Sequence, residues 1–196
     1  MQARAQLTRD RVLEAAARVF ARHGYAAGTT NRIAAEAGMS IGSLYQYFPN
    51  KDAILVELVR RHLAEGTAAV VERVSGAGGL PDRLEDRIGL FVDAMLANHV
   101  GDPRLHQVLF EEAPRPRPLL DELHATEEWA VALAEQVLRS DPSLRVDDVA
   151  MAARLVVTAI ESLVHRYVSS RPDDLDVETF RQELVTMLTR YLTGGA

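Results

Sequence analysis

Residues Thr29 to Phe48, TTNRIAAEAGMSIGSLYQYF, read as two short helices joined by a tight turn. Ile33, Ala34 and Ala37 form one apolar stripe at helical spacing. Gly38 breaks that pattern, and Ser40 stands where a side-chain oxygen caps a new helix. The second helix, about Ile41 to Tyr47, is too short to be stable alone. It therefore has to be held against the first, through the small Ala34 and Ala37 and the apolar Ile33, Leu44 and Phe48. Its outward face is then Gly42, Ser43, Tyr45, Gln46 and Tyr47. Those side chains suit phosphate oxygens and base edges better than a core. The expectation is a helix-turn-helix whose second helix enters the major groove.

Working outward, Thr8 is placed to cap a first helix, Arg9 to about His23, behind a loose basic arm. Gly24 ends that helix, and Tyr25 packs under the motif. Asn50 caps a long fourth helix from Lys51 to about Val74, the mechanical connection to the rest of the chain. The run SGAGG, residues 75–79, is the clearest loop in the chain. A fifth helix begins after Pro81, and Asp102-Pro103 opens a short sixth one that APRPRP, residues 113–118, breaks. A seventh runs from about Leu119 to Arg139 and an eighth from about Val146 to Val168, stopped by Arg171-Pro172. Asp176 caps a ninth, which ends at Gly194-Gly195. No strand signal competes, so the fold expected is all-α, with about nine helices.

The net charge of −6 argues against nucleic acid if taken globally. Residues 1–52, however, carry seven basic against four acidic residues, a net +3, and the remainder carries −9. A basic module on an acidic body concentrates attraction for phosphate at the end that holds the motif. The absence of cysteine rules out disulfides and thiolate metal sites and fits a reducing cytoplasm. No signal-peptide pattern precedes the first helix, and the apolar runs are too short to span a bilayer.

The run from Gly24-Tyr25 through Thr30, Ile33-Ala34, Ala37-Gly38-Met39-Ser40, Gly42, Leu44-Tyr45, Tyr47-Phe48 and Lys51 closely resembles the N-terminal domain of the tetracycline-repressor (TetR) family. The motif covers roughly residues 8 to 55; the rest matches only in length and helical pattern. The resemblance implies a homodimeric transcription regulator, which binds a palindromic double-stranded DNA operator and releases it when a small-molecule effector enters a C-terminal domain. The division expected is a helix-turn-helix DNA-binding domain, 1–50, and a helical ligand-binding and dimerisation domain, 51–196.

Within the motif, Ser40 and Gly42 bring backbone close to phosphate, and Ser43, Tyr45 and Tyr47 donate to phosphates, unless one tyrosine ring turns inward. Gln46 is the candidate for direct base readout. Thr29, Thr30 and Arg32 open the second helix and face the flanking backbone. Lys51, the only lysine in the chain, suits a phosphate, and the family pattern also has a lysine there.

In the body, the eighth helix is apolar nearly all round, and the ninth offers Phe180, Leu184, Met187, Leu188 and Tyr191. The pair either closes its own core or meets its copy in a four-helix dimer interface; the resemblance favours the dimer. An effector pocket would lie between the fourth, fifth, seventh and eighth helices, lined by Leu58, His62, Phe91, Met95, His99, Trp129 and Thr158. The effector expected is small and largely apolar. No histidine pair has i, i+4 ligand spacing, so no metal site is expected. No phosphate-cradling glycine loop, metalloprotease helix or nucleophile elbow occurs, so neither catalysis nor a cofactor is expected. The remaining alternative is a helical small-molecule-binding or protein-interaction module without specific DNA binding.

Overall fold

The computed structural model describes residues 2–76, 78–100, 103–170 and 176–195. Among them are nine α-helices and no strand. In chain order these are α1 (Gln2–Ala27), α2 (Thr30–Glu36), α3 (Ile41–Tyr45), α4 (Lys51–Gly76), α5 (Leu84–Val100), α6 (Pro103–Gln107), α7 (Arg117–Arg139), α8 (Val149–Ser170) and α9 (Val177–Thr193). No helix of the described residues is long and apolar enough to cross a membrane. The chain divides into two compact units, residues 1–62 with 102–122, and residues 63–101 with 123–196. This grouping differs from a division in chain order at residue 50, because α6 and the start of α7 return to the first unit.

In the first unit, α1 starts at Gln2, seven residues before the position expected. Thr8 is therefore inside the helix, and its hydroxyl donates to the Arg4 carbonyl at 2.9 Å instead of capping. Ala3, Arg4, Ala5, Gln6 and Leu7 are good helix formers, and Gln6 bonds Asp10 one turn on at 3.1 Å. The inner stripe of α1, Val12, Leu13, Ala16, Val19 and Phe20, is buried as its spacing predicts. The helix bends at Gly24, whose φ of 72° lies in the left-handed region that favours glycine. After α6 the chain widens into one π-helical turn, Val108–Glu112, closed by the Ala113 N–H on the Val108 carbonyl at 2.9 Å. This turn packs on α1, with Val108 and Leu109 buried. The expected cap Asp102 lies outside the described residues.

In the second unit, α5, α8 and α9 share a core of Ile88, Val92, Leu96, Val156, Ile160, Val164, Leu184 and Leu188. Tyr167 stacks on Phe180 with ring centroids 4.3 Å apart, joining α8 to α9. Arg181 of α9 closes on Asp93 of α5 through two nitrogens, at 2.5 and 2.9 Å. Arg87 of α5 meets the buried Asp141 at 3.2 Å and so ties down the loop after α7. Two serine contacts, Ser143 N–H and Oγ, and the Arg87 guanidinium outweigh burial and hold the Asp141 carboxyl below its usual range. The helix α8 starts at Val149, not Val146, because Asp148 caps it, accepting the Met151 N–H at 2.9 Å. Its expected stop, Arg171-Pro172, lies outside the described residues. Asp176 caps α9 as expected, accepting from the Glu178 and Thr179 N–H groups at 2.8 and 3.0 Å.

Candidate nucleic-acid interface

The motif forms as its residue types require. Thr29 caps α2 through the Arg32 N–H at 3.3 Å, and Ser40 caps α3 through the Ser43 N–H at 3.1 Å. Between them the Met39 N–H returns to the Ala34 carbonyl at 3.0 Å, and Gly38 takes a φ of 63°. Ile33, Ala34, Ala37, Leu44 and Phe48 are buried, which fixes the orientation of α3. A helix of five residues has no stability of its own, so those contacts and its cap hold it.

Of the five residues expected on the outward face, Gly42, Tyr45 (50% exposed) and Gln46 are exposed, whereas Ser43 and Tyr47 are half-buried. The Tyr45 hydroxyl lies 3.2 Å from the Thr30 hydroxyl, so the open end of α2 and the face of α3 share one hydrogen-bonding edge. Ser43 is half-buried and 2.9 Å from the Ser40 hydroxyl. Tyr47 is half-buried, the more inward of the two tyrosines. Thr29 and Arg32 are exposed on the same flank.

Lys51 does more than present a charge. Its ammonium donates to the Tyr25 carbonyl at 2.7 Å and the Ala26 carbonyl at 3.4 Å. It also sits 4.0 Å from the centre of the Tyr25 ring. Those carbonyls belong to the C-terminal end of α1, where a cation is favoured. The neighbouring Asp52 accepts the Tyr25 hydroxyl, and burial followed by that bond pushes the phenol well above its usual range. Lys51 and Asp52 together clamp α1 to α4 at the edge of the motif.

Arg9 carries no signal in the sequence for its role. Its guanidinium donates to the Tyr47 carbonyl at 3.3 Å, lies 4.6 Å above the Phe48 ring and meets Glu57 at 3.6 Å. Only the fold brings a residue 38 positions away to the exit of α3. Part of the positive charge of the module is also spoken for. Arg18 and Arg22 pair with Glu36 at 2.7 and 2.6 Å, and the Arg18 bond, then the Arg22 bond, hold its carboxyl low.

The residues expected to line an effector pocket belong to both units. Leu58 is buried and His62 half-buried in the first unit, where His62 contacts the rings of Phe110 and His106 at 5.4 and 6.1 Å. In the second unit, Phe91, Met95 and His99 lie along one face of α5 at four-residue steps. Phe91 and Met95 pack on the core, and His99 is 4% exposed. Trp129 and Thr158 are exposed, because Val131, Ala134 and Leu138 supply the inner stripe of α7 and Val156, Val157 and Ile160 that of α8. A groove of about 300 Å³ lies elsewhere, between α7 and α8, lined by Glu128, Val131, Glu135, Asp148, Met151 and Arg154. Arg154 bridges it to Glu128 at 3.0 Å.

Two features of the second unit are invisible in sequence spacing. His99 of α5 and His165 of α8 meet with ring centroids 4.5 Å apart. Burial pushes His99 below the usual imidazole range, although its bond to Met95 opposes this. Glu161, one turn before His165, has its carboxyl raised to about 7 by burial and then by the nearby Glu127 charge.

Comparison with known proteins agrees with this geometry. The model of the tetR family of bacterial regulatory proteins matches residues 12–58, and that of the tetracyclin repressor-like C-terminal domain matches residues 84–192. The HTH-type transcriptional repressor AcnR of Corynebacterium diphtheriae is 25% identical over 196 residues, 96% of this chain and 83% of that protein. The HTH-type transcriptional repressor KstR of Mycolicibacterium smegmatis is 35% identical over 91 residues, 46% of this chain and 44% of that protein. The chain spans half or less of the length of the curated relatives it matches at 31% identity or more. Among solved structures, the regulator FadR from Bacillus subtilis in complex with stearoyl-CoA superposes with a TM-score of 0.71 at 19% identity. That superposition covers 95% of this chain and 98% of that one, and carries the fold alone.

Proposed function

The chain belongs to the tetR family of bacterial regulatory proteins, and from that premise we propose that it is a repressor that binds a palindromic DNA operator as a homodimer and lets go when a small, largely apolar effector binds. The observation that carries this is the face of α3. A capped five-residue helix is fixed by Leu44 and Phe48 and leaves Gly42, Tyr45 and Gln46 turned outward. A helix of that length, buried on one side and polar on the other, reads DNA in helix-turn-helix proteins. The functional division is in chain order, with DNA reading in residues 1–50 and effector binding and dimerisation in residues 51–196.

Dimerisation through α8 and α9 is supported by what they leave uncovered. Met151, Leu155 and Leu163 of α8 and Met187 and Tyr191 of α9 are between 39% and 52% exposed. Met151 and Leu155, like Met187 and Tyr191, are one helical turn apart. Two such apolar strips fit the same pair on a second copy.

For the effector, FadR of B. subtilis binds stearoyl-CoA, which makes a ligand with a long apolar part the first class to screen. The relatives are transcriptional repressors, so this chain is proposed to act by binding, without catalysis, in the cytoplasm. The helix α4, continuous from Lys51 to Gly76, contributes to both units. Effector that prefers the non-binding conformation of α4 would shift the motif, and by linkage operator would weaken effector binding by the same factor.

The test is selection from random duplex DNA, and then a compound screen for release of the selected site. An enriched inverted repeat supports the reading. Enrichment of no sequence would leave the alternative, a helical binding module without specific DNA recognition.

A further inference from the structure

The two histidines that meet inside the second unit have no part in reading DNA. His99 comes from α5 and His165 from α8, and their ligating nitrogens lie within 4.8 Å of each other. The Nδ1 of His99 is 2.6 Å from the Met95 carbonyl. A carbonyl can only accept, so Nδ1 carries the proton and Nε2 carries the lone pair. That is the tautomer a metal needs, with the ring oriented by a backbone oxygen on its far side. His99 is 4% exposed and His165 is half-buried, so both rings lie largely out of solvent.

We propose that His99 and His165 bind a divalent cation of borderline softness, with Zn²⁺, Co²⁺ or Cu²⁺ as the working probes. Imidazole suits these ions, and the chain has no thiolate to compete. A tetrahedral ion at about 2.0–2.1 Å from each nitrogen holds two of them about 3.3 Å apart. In this structure the nitrogens stand within 4.8 Å of each other, so reaching that spacing takes only a small approach of the two rings. Glu161 precedes His165 by one turn on the same face of α8. The bound ion would cross-link α5 to α8 within the core of one unit.

The site does not depend on the DNA-binding reading, and its failure would not touch that reading. Tag-free full-length protein is titrated calorimetrically with ZnCl₂, and CuCl₂-loaded protein is studied by electron paramagnetic resonance. One ion per chain and nitrogen superhyperfine structure in the copper spectrum are expected. His165→Gln and His99→Gln should each weaken Zn²⁺ binding at least about tenfold, whereas His124→Gln, at an exposed histidine of α7, should leave it unchanged. Circular dichroism of each variant separates loss of the site from loss of the fold. Absence of saturable Zn²⁺ binding by the unsubstituted protein overturns the proposal. So does binding that survives folded His165→Gln.

Discussion

The guanidinium of Arg9 donates to the main-chain carbonyl of Tyr47, where α3 ends and the chain turns toward α4. The same group covers the Phe48 ring and meets Glu57 on α4. One side chain of α1 therefore holds the exit of the reading helix from three directions. A cation over an aromatic ring contributes about 0.5–1 kcal/mol at a partly exposed site, and a bond from a charged donor about 1.5–3 kcal/mol. Arg9→Ala should cost about 1–3 kcal/mol of stability in urea unfolding. Arg9→Lys should recover only part, since an ammonium cannot stack as a planar guanidinium does. A neutral result for Arg9→Ala would mean that α3 is held by its apolar contacts alone.

Lys51→Ala and Gln46→Ala should fail in different ways. Lys51 caps the carbonyl end of α1, so its loss should lower stability without DNA by about 0.5–2 kcal/mol. It should also weaken binding to every duplex and reduce the salt slope. Gln46→Ala should leave stability unchanged and relax preference at one position of each half-site, by about 1–3 kcal/mol if the amide makes a bidentate contact. Paired urea melts and binding selections on the two variants check both statements. An unaltered preference profile in Gln46→Ala would remove that residue from base readout.

Glu161 gives a dependence on pH with a definite sign. Its folded carboxyl is raised to about 7, against an ordinary glutamate in the unfolded chain. Between those two values the folded state holds the proton more tightly, so its contribution to stability falls as pH rises through that window. Above about pH 7 the penalty is complete. Glu161→Gln should stabilise the protein by about 1–2 kcal/mol at pH 8 and by almost nothing at pH 4, after discounting for partial exposure. A gain of equal size at both values would point to packing, not charge.

A charge placed in the exposed strip of α8 should separate subunits without unfolding them. Leu155 is 49% exposed, so Leu155→Glu costs a single chain little. In a two-fold interface the substitution occurs twice, which opposes two carboxylates. Sedimentation equilibrium should then show monomers of unchanged helicity, and affinity for a two-half-site operator should collapse. Persistence of the dimer would place the interface on another face.

Local chemistry is legible in the sequence where one residue decides one bond. Ser40 and Asp176 have the residue type and position of caps, and they are caps. Thr8 looks the same and is not, because the helix formers before it carry α1 through and its hydroxyl bonds backward. Asp148 is masked in the sequence because apolar spacing places the start of α8 three residues early. Trp129 is 43% exposed, because smaller residues supply the inner stripe of α7. His99 and His165 lie 66 positions apart on different helices, and no spacing rule joins them. The carbonyl partners of Lys51 are equally hidden, since they depend on where α1 ends in space.

The wide turn Val108–Glu112 closes with the Ala113 N–H reaching the Val108 carbonyl, one residue further back than in an α-helix. It therefore works as a phase shifter. Helical residues advance by about 100° each, and the surplus residue rotates the chain beyond the turn by that amount relative to the chain before it. With the surplus present, Val108 and Leu109 face inward and Glu112 stands against Gly24, where an added methyl would come within 2.9 Å of its carboxyl oxygen. A single-residue deletion in this segment would restore regular pitch and swing Glu112 off the bend of α1 and off its bond with Arg104. Along this stretch the protein should tolerate many side-chain exchanges more readily than any change in length.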